Sequence, residues 1–226
     1  MMSAMRPRML TRLAGTALVF AAWFLVAGRV GWPQAWAFLS VFLITVSAFA
    51  WRLARTDPTL LRERSQTPVK GEPWDRAVMR LYTILLLVLM VVVALDGGRY
   101  RWSVVPPWAQ LIGWVLCAMC GTVVWHVSTK NTYLSRYARI QDDRDQVVVR
   151  DGLYGHVRHP MYLGIILLFS GLPLVLGSWW AYIPSTVIAC LFVYRTHRED
   201  RMLQDGLAGY PEYAQDVRYR LVPGIW

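Results

Sequence analysis

Residues 160–194, thirty-five in a row, carry no charged side chain. A helix needs about 20 apolar residues to cross the hydrocarbon of a bilayer, so this stretch constrains the fold more than any other. Pro173, Gly177 and Ser178 interrupt it near its middle, which predicts two slightly short helices joined by a tight turn. Four further apolar runs precede it, at 13–28, 34–51, 77–95 and 108–128. Pro33 and the pair Pro106-Pro107 stand at helix starts, where a missing backbone N–H is harmless. Trp32, Trp36, Trp102 and Trp108 gather at the same boundaries, as an interfacial belt does. With 56% apolar against 17% charged residues, an ordinary soluble domain is excluded. The expected fold class is all-α, a polytopic transmembrane helical bundle of about six spanning segments. The last two form a short helical hairpin, and a small subregion lies on the cytoplasmic surface.

The net charge of +10 suits either nucleic acid or an anionic membrane face, but the charges sit between the apolar runs. Membrane lipids are therefore the expected partner, and no nucleic acid is. With the N-terminus cytoplasmic, only Arg29, Arg99 and Arg101 fall on the far side, leaving 21 of the 24 Lys and Arg on the near side. This positive-inside bias predicts an integral membrane protein with both termini cytoplasmic. Arg6, Arg8 and Arg12 before the first run resemble the start of a signal peptide. No small-residue cleavage site follows, so that run is read as the first helix. Cys117 and Cys120, spaced C-x-x-C, lie mid-helix and read as small packing residues, and His126 reads as a packed, hydrogen-bonded histidine.

The sequence divides into N-terminal transmembrane helices, 1–130, and a C-terminal catalytic region, 131–226, with the hairpin and a cytoplasmic tail. Residues 55–75 read as a solvated connector. In 141–158, Val147 to Val149 and Leu153 to Val157 flank Asp151-Gly152, a hairpin signal that predicts two short strands and a surface lid. Pro160 opens the fifth helix and leaves Arg158 and His159 just outside its N-terminus. The hairpin returns the chain to the same face, where Arg195, Thr196, His197, Arg198, Glu199 and Asp200 emerge, and nothing breaks the helix before Gly206. Two readings fit this convergence, a binding site or an interfacial ion-pair network that anchors helix ends. The mixture of cations, acids, histidines and Tyr154, Tyr162 and Tyr194 beside an apolar hairpin favours the site, because polar groups near lipid are costly. His156 and His159 are three apart and His197 stands two before Glu199, but His156 falls in an expected strand, where helical i, i+3 geometry does not apply, and no metal is expected.

The stretch GLYGHVRHPMYLG (152–164), together with EDRMLQDGLAGYPEYAQDVRYRLVPGIW (199–226), resembles the membrane methyltransferases of the isoprenylcysteine carboxyl methyltransferase family. NTYLSRYARIQDDRDQVVV (131–149) is similar to bacterial members of it, which implies a bacterial inner membrane. The likeness covers about the last hundred residues. It keeps the family's tyrosine at Tyr154 but departs at Leu153 and Gly155, where proline and arginine are usual, and at Asp200, where the second of two glutamates is usual. The resemblance implies transfer of a methyl group from S-adenosyl-L-methionine to a lipid-like or isoprenoid-like acceptor entering from the bilayer, most simply a carboxylate, at the cytoplasmic face. It implies a cofactor site of Tyr154, Arg158, His159, Tyr162, Gly164, Glu199 and Asp200, with His159 and Arg158 as catalytic candidates. Related sterol reductases make an NADPH-dependent reductase the competing enzyme, and a non-catalytic membrane module the competing non-enzyme.

Overall fold

The computed structural model describes residues 5–56, 58 and 71–226, and most of the 55–75 connector lies outside them. Six long helices follow one another: α1 (Met5–Ala27), α2 (Pro33–Thr56), α3 (Pro73–Val93), α4 (Pro107–Lys130), α5 (Pro160–Leu176) and α6 (Tyr182–Gly206), then a short α7 (Tyr210–Asp216). By length and composition α2, α3 with its extension to Tyr100, and α4 can each cross a membrane, and Gly15–Ala27 and α5 are shorter apolar helices. At 17 residues α5 measures about 26 Å, just under the roughly 30 Å of hydrocarbon. Ile44, Leu87 and Leu111 are 69%, 61% and 65% exposed, so lipid is the solvent of these helix faces. The protein is an integral membrane helical bundle.

Prolines at the first turns of α3, α4 and α5 start those helices where the sequence places them. The core lies between α3, α5 and α6, where Leu89 and Val93 meet Phe169, Leu172, Val175, Ile188 and Phe192. Small residues set the closest helix contact. A Cβ on Gly113 of α4 would stand 2.7 Å from Leu174 Cβ and 2.8 Å from the Gly171 carbonyl of α5, so these two backbones approach as only glycine allows. Cys117 and Cys120 pack on this same helix, with Cys120 buried. His126 keeps its hydrogen bond, Nδ1 lying 2.8 Å from the Thr122 carbonyl, but it is exposed rather than packed.

At the far end α3 continues as a π-helical turn, Ala94–Tyr100. Asp96 from this turn is fully buried and accepts hydrogen bonds from Ser103 N–H (2.8 Å), Ser103 Oγ (2.6 Å) and Ser178 Oγ (2.6 Å). The carboxylate thus ties the α5–α6 turn to the loop before α4. Gly177 makes that turn at φ 77°.

The two strands expected around Asp151-Gly152 do not form, and no strand occurs among the described residues. Gly152–Gly155 is a 3₁₀ turn instead, with Tyr154 N–H donating to Asp151 O and His156 and Val157 N–H both to Leu153 O. The next two N–H groups, of Arg158 and His159, donate to Tyr219 O (3.0 Å) and Arg220 O (2.9 Å) of the C-terminal tail. On the expected second strand the donors of Tyr154, His156 and Val157 are thus used within the turn, and the tail takes the two that follow.

Candidate functional site

The tail, α6 and the segment before α5 meet on Asp200. Its carboxylate, 1% exposed, accepts Arg158 Nε (2.7 Å) and Nη2 (3.0 Å), Arg220 Nε (2.8 Å), Gln204 Nε2 (2.8 Å) and Tyr210 OH (3.0 Å). His159 Nε2 lies 3.3 Å from the same carboxylate. Burial by itself would raise the Asp200 pKa, but the hydrogen bonds from His159, Arg158 and Arg220 override it and hold the carboxyl far below the usual range. Burial likewise opposes the Arg158 charge and Asp200 more than restores it. Burial and then the Asp200 charge push the Tyr210 phenol up, so it stays a donor.

All three guanidinium nitrogens of Arg158 are engaged. Its Nη1 caps the end of α7, reaching the carbonyls of Ala214 (3.2 Å), Val217 (2.8 Å) and Arg218 (3.1 Å). The second acid and the arginine of the expected site are therefore a clamp that docks the tail. Tyr154 belongs to the same framework: its hydroxyl accepts from Asn131 Nδ2 (2.7 Å) and its carbonyl from Tyr213 OH (2.7 Å).

Glu199, one residue before Asp200, does something different. Consecutive helical residues point about 100° apart, and Glu199 lines a cavity of about 390 Å³ between α3, α5, α6 and the 131–149 segment. Tyr162 OH donates to Glu199 Oε2, and Oε1 has no hydrogen-bond partner among the described residues. Tyr154, Arg158, His159 and Tyr162 line the same cavity, and His159 stacks on Tyr162 with ring centroids 5.7 Å apart. Gly164 does not line it. That glycine lies on the α4 side of α5, where a Cβ would meet Val123 Cγ1 at 3.1 Å, so its role is helix packing.

Three features escaped the sequence reading. Asp75, assigned to a solvated connector, is fully buried and pairs with Arg195 (Nε–Oδ1 2.7 Å, Nη2–Oδ2 2.9 Å) while accepting Ala138 N–H at 2.7 Å. This pair fastens the 131–149 segment to α3 and α6 as the cavity wall. Arg136 and Tyr133 from that segment line the cavity, and Arg136 makes no ion pair among the described residues. The apolar end is built by Met79, Tyr82, Ile165 and Phe192. Phe192 lies seven positions before Glu199, so the cavity reaches about 10 Å along α6 from its polar end. The cue for Asp75 was an acid in the first turn of an apolar helix. Among the described residues no group of three or more His, Cys, Asp or Glu could hold a metal.

Residues 111–205, which include α5, most of α6 and the clamp acid, match the isoprenylcysteine carboxyl methyltransferase family. The solved structure of a eukaryotic intramembrane Ras methyltransferase, isoprenylcysteine carboxyl methyltransferase without a monobody, is similar with a TM-score of 0.59 and 19% identity. The match covers 87% of this chain and 70% of that one, and at this identity the likeness is one of fold. No curated protein sequence matches the chain. The family region contributes Tyr162, Glu199 and Asp200 to the site, while α7 and the tail that complete the clamp lie beyond it.

Proposed function

We propose that the protein is a methyltransferase that takes its methyl group from S-adenosyl-L-methionine and delivers it to a lipid-like acceptor, most simply a carboxylate, at the cytoplasmic membrane face. The observation that carries this reading is the half-buried Glu199, with one carboxylate oxygen unpartnered, at the polar end of a cavity whose other end is apolar. A carboxylate so placed suits an ammonium group. Arg136 suits a carboxylate, and the faces of Tyr133, Tyr154 and Tyr162 suit an adenine ring or a sulfonium. The cavity volume falls in the range of small-molecule sites. The residues present therefore fit this cofactor, with Arg136 taking the part that sequence reasoning gave to Arg158.

When bound, the cofactor supplies an electrophilic methyl group on a sulfonium. The chain's own work is to bind, orient and exclude water. Glu199 with Tyr162 fixes one end, and the wall held by Asp75 and Arg195 closes the polar side. Met79, Ile165 and Phe192 offer an apolar tail a place within the helix layer. An ionised carboxylate acceptor needs no general base, only placement in line with the methyl group and loss of its water. For an amine or thiol acceptor His159 is the base. With Nε2–H donating to Asp200, its Nδ1 carries the free lone pair.

Full-length protein in detergent is expected to bind S-adenosylhomocysteine and not NADPH by calorimetry. Labelled cofactor incubated with a total lipid extract is expected to give a labelled lipophilic product identifiable by mass spectrometry. Binding of NADPH alone favours the reductase, and binding of neither favours the non-catalytic module. The bacterial inner membrane and cytoplasmic termini belong to the same proposal. Cysteines introduced at Gln146 and at the exposed Val104 are expected to label from opposite sides, Gln146 from the cytoplasm.

A further inference from the structure

The three arginines that the charge pattern leaves on the far side come from two separate loops, yet the fold brings them to one place. Glycine is the cause. A Cβ on Gly98 would stand 2.7 Å from Ala27 Cβ and 3.2 Å from the Trp32 ring, so the Gly97-Gly98 backbone lies directly against the α1–α2 turn. The Arg99 side chain then crosses Gly28, with its Cγ 3.5 Å and its Cζ 3.7 Å from where a Cβ would be, and Nη1 is 3.5 Å from Val26 O. Arg29 is the next residue. Arg101 stands at φ 52°, a left-handed conformation unfavourable for arginine. Burial, and then the charge of Arg101, lower the Arg29 pKa, as expected for guanidinium groups facing one another.

No acid relieves this convergence. None of the three arginines makes an ion pair among the described residues, and the nearby Asp96 is taken up by Ser103 and Ser178. Arg29 Nε is buried with no hydrogen-bond partner. Arginines that merely anchored helix ends would hold their head groups apart in water. Beside the cluster, Leu25 and Val30 are 77% and 66% exposed, and Tyr100 and Trp102 stack at 4.9 Å as interfacial aromatics do. Cations against exposed apolar surface suit a phosphate that carries acyl chains better than a free ion.

We propose that Arg29, Arg99 and Arg101 form a binding site for the phosphate of an anionic membrane lipid, on the face opposite the cavity. Forked guanidinium donors match phosphate oxygens, and the anion supplies the countercharge that the fold omits. The test is native mass spectrometry of the full-length protein in neutral detergent, titrated with phosphatidylglycerol, phosphatidylcholine or inorganic phosphate. One phosphatidylglycerol is expected to be retained in preference to phosphatidylcholine. Arg29→Gln/Arg101→Gln is expected to weaken that retention roughly tenfold or more, as for loss of charge-assisted hydrogen bonds. Arg101→Lys keeps the charge and is expected to retain most of the binding, and Arg55→Gln, a cytoplasmic-end control stacked on Trp51, all of it. Equal retention of the two lipids, unchanged binding in the folded double variant, or an equal loss in Arg55→Gln overturns the proposal. Displacement of the lipid by equimolar inorganic phosphate assigns the site to a free anion and overturns the lipid reading.

Discussion

The α5–α6 hairpin is fastened at both ends by a buried aspartate, but the two fastenings differ in kind. At the far end Asp96 accepts only neutral donors, one backbone N–H and two hydroxyls. At the other end Asp200 gathers two arginines, a histidine, an amide and a phenol from three segments. The first joins short loops that turn and packing already hold close. The second adds to the buried Val217 and Leu221 in holding the C-terminal tail, and it keeps His159 and the start of α5 in register beside the cavity. Strong electrostatics is thus spent where position matters to chemistry, and a weaker device serves where only closure is needed.

The largest difference should appear on neutralising Asp200. Asp200→Asn leaves Arg158 and Arg220 beside a buried site without their counter-ion, a loss of about 3–5 kcal/mol for a broken buried pair. The expected outcome is a tail released to proteolysis near Val217 and a sharply lower unfolding temperature. Because the folded-state pKa of Asp200 is depressed, its contribution is complete above the ordinary carboxyl pKa of about 3.9 and disappears only as pH falls through the lower folded value. Tail protection in the wild type should therefore stay flat from pH 8 to about 4. A decline already at pH 6 would show that the clamp depends on another group.

Much of this contrast could be read in the sequence, and the unread part has one physical cause. Six apolar runs, the Pro160 start and an uninterrupted helix to Gly206 follow from local rules of period and capping, and all appear in the structure. The meeting of Arg158, His159, Glu199 and Asp200 followed from the hairpin alone. What stayed hidden was partner choice over long separations. Asp75 and Arg195 are 120 residues apart, Asp96 and Ser178 are 82, and no local pattern marks either pair. The same blindness hid the tail, which takes the Arg158 and His159 N–H groups from some 60 residues on, while Tyr154, His156 and Val157 close a local turn in place of the expected strand. It also made Glu199 and Asp200 look like one acidic pair, although helical geometry turns one into the cavity and the other into the clamp.

His159 tests whether the clamp acts on chemistry beyond position. Its side chain makes no cap to α5, so His159→Asn removes no helix cap, and Asn can still donate to Asp200. If His159 takes a proton from an amine or thiol acceptor, methyl transfer should fall by ~10²-fold or more in a folded variant. Wild-type activity should then rise with pH through one ionisation that the variant lacks. Wild-type turnover in His159→Asn at every pH would confine the residue to the framework.

Glu199 should give the next effect, in affinity rather than stability. Glu199→Gln removes the charge facing the cavity and should weaken S-adenosylhomocysteine binding roughly tenfold to a hundredfold, the equivalent of about 1.5–3 kcal/mol for a charge-assisted hydrogen bond. Asp205→Asn, exposed near the end of α6, should change nothing. Calorimetry of both variants decides, and equal small effects would return the cluster around Glu199 and Asp200 to an anchoring role.

The smallest effect belongs to Asp96, and it sharpens the comparison from the other side. Asp96→Asn keeps one carbonyl oxygen for the Ser103 N–H and the backbone path unchanged. Its new N–H₂ group must face serine hydroxyls, which can rotate to accept. The change therefore swaps hydrogen bonds to a charged acceptor for neutral ones, a difference on the order of 1 kcal/mol, and strands no cation. The expected outcome is a modest drop in unfolding temperature with S-adenosylhomocysteine affinity unaltered. Because six long helices separate the two faces only by the length of the bundle, a loss of affinity in Asp96→Asn comparable to that in Glu199→Gln would mean that the hairpin transmits strain along its length. Thermal unfolding and calorimetry on the same preparation distinguish the outcomes, since a local far-end change moves only the first.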